Sequence, residues 1–433
     1  MAGERPETAP GDGNISLWRH RDFLLLWSGQ GVSELGSMVT PFALTYLAVT
    51  AMHATAFQVG ALTAAATAAF ALFAVPAGVA VDRLPRRRLM VRCDLLGAAL
   101  VGSVPLAWAM GVLTLAQLFV VAFVVGIPAI AFDLAYRSYL PCVVSHQQLT
   151  DANGKLATTL SAAETGGPPL AGALAALVGA ATSVTVDAAS YLASAASLAA
   201  IRTPEPARQP PATGAAGERR RGLLAETAEG FAFVRRDPIL RRIVACSTSY
   251  NLCRSMVIAS QIIFLVRVLR LPPAAAGGVL ALGTAGGVTG GLAAGWCARR
   301  FGSARIIWLS FLGLGWTGLV MPLAQPGWGA VVFGAGFFAV DAAASIYNVG
   351  QLSYRQASCP ARLLGRTNAV VRWITWGVMP AGGLIGGAVG GWLGVRGAVA
   401  VGVFGMWAAS GWVFFSPLRR LRDIPGLTRP AAG

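Results

Sequence analysis

Four ionisable residues stand where a charge is expensive. Glu34, Arg254 and Asp341 each lie in the middle of an apolar run long enough to cross a bilayer, and Glu164 lies in another, just before Gly167-Pro168. A charged side chain at the centre of a membrane helix costs about 2.5–3.5 kcal/mol on insertion scales, so such residues face a polar interior and mark a functional site. A carboxyl that meets two aqueous sides in turn can take up a proton on one and release it on the other. Glu34 and Asp341 are proton-carrier candidates on this ground. Arg254 stays charged and can pair with whichever carboxylate is ionised, which would make the ion pair a switch. Glu164 either joins the relay or hydrogen-bonds a broken helix. A permanent buried salt bridge is the alternative for the same charges. Asp187, toward the outer end of the sixth run, reads as an end residue, and Asp94, beside Arg92, as a structural one.

Polar residues at helical spacing accompany three of these charges. Gln30, Glu34, Ser37 and Thr45 fall on one face of the first run, Ser247, Asn251, Arg254 and Gln261 on one face of the seventh, and Asp341, Ser345 and Asn348 on the tenth. Three polar stripes on otherwise apolar helices predict a wet lumen. Gln30, Ser37, Asn251, Gln261 and Asn348 are therefore candidate cavity residues. Trp373 and Trp376 in the eleventh run are candidate substrate contacts, whereas Trp18, Trp27, Trp328 and Trp412 suit interfacial belts.

The elements that must carry these residues are membrane helices. The 433 residues are 55% hydrophobic and 12% charged, with a mean hydropathy of +0.62, a balance that leaves too little polar surface to wrap a soluble core. A spanning helix needs roughly 20 apolar residues. Such runs occur near 22–48, 57–81, 89–110, 114–136, 154–179, 182–201, 240–267, 274–297, 304–323, 327–352, 367–390 and 395–416. They are continuous and far too long for the alternating strands of a β-barrel. The expected fold class is an all-α membrane protein of twelve transmembrane helices in two pseudo-symmetric six-helix bundles. Its expected parts are an N-terminal tail (1–21), a first bundle (22–201), a linker (202–238), a second bundle (239–416) and a C-terminal tail (417–433).

The net charge of +16 is topological. Arginines crowd every second loop, with Arg83, Arg86, Arg87 and Arg88 after the second run, Arg299, Arg300 and Arg305 after the eighth, and Arg419, Arg420 and Arg422 after the twelfth. The opposite loops carry almost none, Arg267, Arg270 and Arg396 being the exceptions. By the positive-inside rule both termini are cytoplasmic, in a multi-pass protein of the inner (plasma) membrane. No basic helix with interleaved aromatics suggests nucleic-acid binding. The histidines His20, His53 and His146 are scattered, the six cysteines form no CxxC, and there is no phosphate-binding loop. No metal, no cofactor and no enzymatic constellation is expected, so energy would come from a proton gradient. The expected partners are the lipid bilayer, a hydrophobic small-molecule substrate and protons, acting on a monomer.

Local sequence repeats between the halves. Gly78-Val-Ala-Val-Asp82-Arg83-Leu-Pro-Arg86-Arg87-Arg88 matches Gly295-Trp-Cys-Ala-Arg299-Arg300-Phe-Gly-Ser-Ala-Arg305, and Gly166-Gly167-Pro168-Pro-Leu-Ala-Gly172 faces Gly377-Val-Met-Pro-Ala-Gly-Gly383. The first of these segments resembles the loop two-three signature of the major facilitator superfamily, with Pro85 in place of the usual glycine. The resemblance implies a cytoplasmic gate formed by Gly78, Asp82, Arg83, Arg86 and Arg87 with Asp133 at the base of the fourth helix; the alternative is that these arginines only anchor topology. Gly166, Gly167, Pro168 and Gly172 resemble the helix-five signature of proton-coupled exporters, although a plain packing helix looks the same. Leu26-Trp-Ser-Gly-Gln30, Ser33-Glu-Leu-Gly-Ser37, Tyr139-Leu-Pro141, Val186-Asp187-Ala-Ala-Ser190-Tyr-Leu and Gly365-Arg366-Thr-Asn-Ala369 resemble the macrolide-efflux and enterobactin-exporter branch. That branch implies alternating-access, proton-coupled efflux of a macrolide-like antibiotic, drug or secondary metabolite. Export of a siderophore, or a non-transporting sensor or assembly partner on the same fold, are the alternatives.

Overall fold

The computed structural model describes residues 17–145, 147–203, 205 and 228–424, apart from the side chains at 75, 79, 80, 82, 83 and 361. Most of the expected linker, residues 1–16 and residues 425–433 lie outside the described residues.

In hydrocarbon each backbone N–H and C=O needs an internal partner, and a helix supplies one from within the segment. Among the described residues, twelve long rods follow one another accordingly, besides a short helix at 228–236. They are α1 (Arg21–Thr50), α2 (Ala56–Arg83), α3 (Arg86–Ala109), α4 (Leu115–Val143), α5 (Leu149–Val178), α6 (Ala180–Ala200), α7 (Pro238–Val268), α8 (Pro273–Phe301), α9 (Ile306–Leu323), α10 (Gly329–Ser358), α11 (Ala361–Gly377 with Met379–Trp392) and α12 (Gly394–Phe414). Nine of them, among the described residues, are long and apolar enough to span a membrane. The other three are α5, α6 and α11. Asp151, Lys155 and Glu164 dilute the apolar character of α5, serines and threonines that of α6, and α11 is split into two shorter pieces.

The breaks have covalent causes. Pro41 has no N–H for the carbonyl of Ser37, and α1 is interrupted at Met38; Pro380 likewise leaves the carbonyl of Trp376 without its helical donor, and α11 breaks at Val378. α7 begins with Asp237 accepting the N–H groups of Ile239 (2.9 Å) and Leu240 (3.0 Å), with Pro238 in the first helical turn. Several boundaries differ from expectation: α4 runs on to Val143, α10 to Ser358, and α11 begins at Ala361. Arg86 and Arg87 form the first turn of α3 rather than a loop.

The pairing of helices repeats after six. α2 packs on α4, α3 on α4 and α6, and α1 on α6; correspondingly α8 packs on α10, α9 on α10 and α12, and α7 on α12. The two largest seams between the halves are α2 against α11 and α5 against α8, and the same shift of six exchanges them. Glycine makes both seams narrow. A Cβ on Gly60 would lie 2.7 Å from Gly387 Cα, and one on Gly172 would lie 3.0 Å from Gly277 Cα. Such small-residue contacts let backbones meet without an apolar driving force. Gly60 and Gly277 are the fifth residues of α2 and α8, at the end of the molecule opposite the arginine-rich loops. The two halves are therefore closed together at the arginine-poor end.

Candidate functional site

Arg254 and Asp341 pair directly. An Arg254 Nη1 donates to Asp341 Oδ1 at 3.0 Å, joining α7 to α10 inside the second bundle. Asp341 is 7% exposed, whereas Arg254 is only half-buried. A cavity beside the pair is lined by Gln261, Met321, Phe337 and Val403. Arg254 also lies within Coulombic range of Glu164 on α5. One guanidinium thus faces a buried acid of its own bundle and an exposed acid of the other.

Glu34 occupies a different place. It is half-buried on α1, accepts a 2.6 Å hydrogen bond from Gln30 Nε2, and interacts electrostatically with Glu164, Asp133 and Arg137. α1, α4 and α5 so gather three acids and one cation. Glu164 is the shared member, since it also reaches Arg254. The four intramembrane charges form a chain, Glu34 to Glu164 to Arg254 to Asp341, running from the first bundle to the second.

The expected polar stripes divide. Ser37 turns away from the other half toward α6, with its hydroxyl 3.4 Å from Asp187 Oδ1 and 3.4 Å from the Tyr191 hydroxyl. Ser247 on α7 bonds the Tyr347 hydroxyl of α10 at 2.8 Å. Asn251 is half-buried one turn before Arg254, Asn348 is exposed, and the side-chain oxygens of Gln30 and Gln261 are buried with no hydrogen-bond partner among the described residues. Trp373 and Trp376 are exposed. Trp376 packs its ring 5.6 Å from that of Phe70 on α2, and the Arg372 guanidinium lies over both rings at 5.2 and 5.4 Å. Trp376 therefore belongs to the α2–α11 seam.

The described gate residues Asp133, Arg86 and Arg87 are tied within the first bundle and to the start of the linker. Asp133 pairs with Arg137, one turn on, at 2.9 Å. The backbone N–H of Arg86 donates to Glu205 at 3.0 Å, and Arg87 donates to the carbonyls of Leu198 (2.9 Å) and Ala199 at the end of α6. The side chains of Asp82 and Arg83 lie outside the described residues, and a Cβ on Gly78 would meet open space. In the helix-five segment, Gly167 is pressed against Met38 at the break in α1, while Gly172 and the Pro168 carbonyl meet Gly277 of α8. Gly166 has open space around it.

Asp187 is not a helix-end residue: it is 1% exposed and hydrogen-bonded by Thr40, Ser37 and Ser190. Hydropathy along the chain carries depth and no azimuth, so the inward turn of this carboxyl was hidden; the serine three residues on was the available signal. Arg267, an exception to the charge asymmetry, donates to the carbonyl of Val49 on α1 at 2.8 Å.

Residues 26–383 match the Major Facilitator Superfamily. No curated protein sequence matches the chain. Among solved structures, the chain is similar to the nucleoside transporter NupG, with 13% identity, a TM-score of 0.69 and coverage of 91% of this chain and 97% of that one. It is similar to a bacterial homologue of the iron transporter ferroportin in its inward-facing state, with 18% identity, a TM-score of 0.68 and coverage of 92% and 99%. The outward-facing state of that homologue gives a TM-score of 0.55 at 18% identity, covering 91% and 98%. At these identities the likeness is one of fold. The match over most of the chain, the repeat after six helices and the two glycine seams together make this protein a member of the Major Facilitator Superfamily, a multi-pass membrane transporter and not an enzyme.

Proposed function

We propose that the protein is a proton-coupled exporter of hydrophobic small molecules, of the macrolide-like, drug or secondary-metabolite kind, that works by alternating access from the inner (plasma) membrane. The arginine-rich end is cytoplasmic in this reading, as are both termini, which follows from the alternation of arginine along the loops. The glycine contacts then close the outer side, so the described state opens inward, where an exporter loads its cargo.

The observation that carries the reading is the position of Arg254 between Asp341 and Glu164. A proton on Asp341 would neutralise the acid and release the guanidinium toward Glu164 across the bundle boundary. Loss of that proton would draw it back. Protonation would thereby alter the attraction between the halves, which is the coupling that alternating access requires. Glu34 adds a second proton acceptor on the first bundle. With Arg254 occupied by Asp341, the acids around Glu34 outnumber their cation, an arrangement that suits a neutral or cationic cargo better than an anionic one. The unpaired oxygens of Gln30 and Gln261 offer acceptors to such a molecule.

The test is accumulation of ethidium, a labelled macrolide and a labelled siderophore in cells expressing wild type, Glu34→Gln or Asp341→Asn, with and without an uncoupler. Uncoupler-sensitive exclusion of ethidium or the macrolide by wild type alone supports the reading. Exclusion of the siderophore alone replaces the cargo, and exclusion that survives the uncoupler or both substitutions ends the proton-coupled assignment.

A further inference from the structure

The apolar run near 367–390 puts Arg372 close to the arginine-rich end of the eleventh helix. The structure places it deeper. Its guanidinium lies 5.4 Å from the ring of Phe70 and 5.2 Å from that of Trp376. Phe70 stands midway along α2 (Ala56–Arg83), beyond the closed contact at Gly60 by about 15 Å of helix. Arg372 is therefore a further charge at mid-membrane depth. Its side chain is exposed, and a charge exposed at this depth faces water rather than lipid, so the guanidinium opens on the polar interior.

It differs from the charges of the chain in having no partner of opposite sign. The cations that act on Glu34, Glu164 and Asp341 are Arg137 and Arg254, and among the described residues no carboxylate pairs with Arg372. A ring offers a cation its π face and no lone pair, so the N–H donors of the guanidinium remain open. The other seam has no such group. By the two sequence repeats, positions 70, 372 and 376 correspond to Gly287, Ser161 and Thr165, and the Thr165 hydroxyl donates to the carbonyl of Ser161 in its own helix at 2.8 Å. Holding the halves together thus requires no cation at this level. The exposed charge of α5 is instead the acid Glu164. The fifth helices of the two halves bring opposite charges to the interior.

We propose that Arg372 is a cargo-binding residue that receives a carbonyl or carboxylate oxygen of the cargo, with Phe70 and Trp376 holding its guanidinium in place. This rests on the reading of the interior as the path of a hydrophobic small molecule, and it narrows that molecule to a dipolar one. An acceptor oxygen meets Arg372, while a neutral or cationic part lies toward Glu164. A cation without an acceptor oxygen uses half of the site and leaves the guanidinium's donors unmatched, which is where discrimination arises.

The experiment is a fluorescence-polarisation titration of the purified full-length protein in detergent, near neutral pH, with dyes that share one planar cationic skeleton. Tetramethylrhodamine carries a carboxylate, its methyl ester a carbonyl, and tetramethylrosamine neither. No cells or gradient are involved, so a failure of proton coupling does not alter the outcome. The expected result is that wild type binds the rhodamine and its ester about tenfold more tightly than the rosamine, and that Arg372→Gln removes this preference while leaving rosamine affinity within about twofold. Phe70→Leu, which keeps the cation but takes away one of its rings, should reduce the preference. A seam-holding role alone for Arg372 would weaken all the dyes together. Equal binding of the dyes by wild type overturns the subsite and leaves the cargo path standing, whereas binding of none overturns both. A preference that survives in folded Arg372→Gln, or in Phe70→Leu where Arg372→Gln does not fold, also overturns the proposal.

Discussion

Arg267 donates to the carbonyl of Val49 at 2.8 Å, and this bond crosses from α7 of the second bundle to α1 of the first at the arginine-poor end. An arginine on that side opposes the charge asymmetry of the loops, and the latch is its structural reason. A hydrogen bond from a charged donor contributes about 1.5 kcal/mol, so Arg267→Ala shifts the balance toward the state open on that side by roughly tenfold. Ala56, whose Cβ lies 3.0 Å from where a Cβ on Gly390 would stand, marks the closed seam. The prediction is read as faster labelling of an Ala56→Cys variant by a membrane-impermeant maleimide when Arg267 is replaced. Equal labelling rates would show that the latch carries no weight.

The glycine seams predict a sharper effect. A Cβ on Gly60 or Gly172 meets backbone on the opposite bundle rather than a side chain that can rotate aside. Gly60→Val and Gly172→Val therefore hold the arginine-poor ends apart while leaving each bundle's own packing intact. Both variants should reach the membrane in wild-type amounts and fail in every transport assay. Gly391→Ala, placed in α11 where nothing lies within 4 Å, serves as the control and should transport normally. Wild-type exclusion by either valine variant would contradict the closure.

The fold was legible from apolar run lengths, because hydrocarbon permits few other solutions for runs such as 327–352. The charge chain was partly legible. Glu34, Glu164, Arg254 and Asp341 stood out because a mid-span charge is rare, but their pairing was not, since sequence gives helix order and not which faces meet. Ser37 shows the limit. Its spacing from Gln30 and Glu34 put it on the lumen stripe, yet the break imposed by Pro41 lies beside it and its hydroxyl bonds α6 instead. Asp133 shows another. The resemblance places it with the arginines after α2, and among the described residues its ion pair is with Arg137, one turn along its own helix, a partner that the resemblance does not name.

The Arg254–Asp341 pair separates stability from coupling. Removing one partner of a buried pair leaves an uncompensated charge and costs about 3–5 kcal/mol, whereas replacing both by apolar groups is often neutral. Arg254→Met alone should lower the unfolding free energy of the purified protein by about 3 kcal/mol, because Asp341 is 7% exposed and its partner is gone. Asp341→Leu alone should cost less, since Arg254 is only half-buried and can turn toward Glu164. The double variant should recover to within about 1 kcal/mol of wild type and still transport nothing. Chemical denaturation in detergent gives the stabilities, and ethidium accumulation in cells gives the transport. A double variant that is stable and active would assign the pair to packing alone, whereas a stable, inactive one requires that the charges act in the cycle.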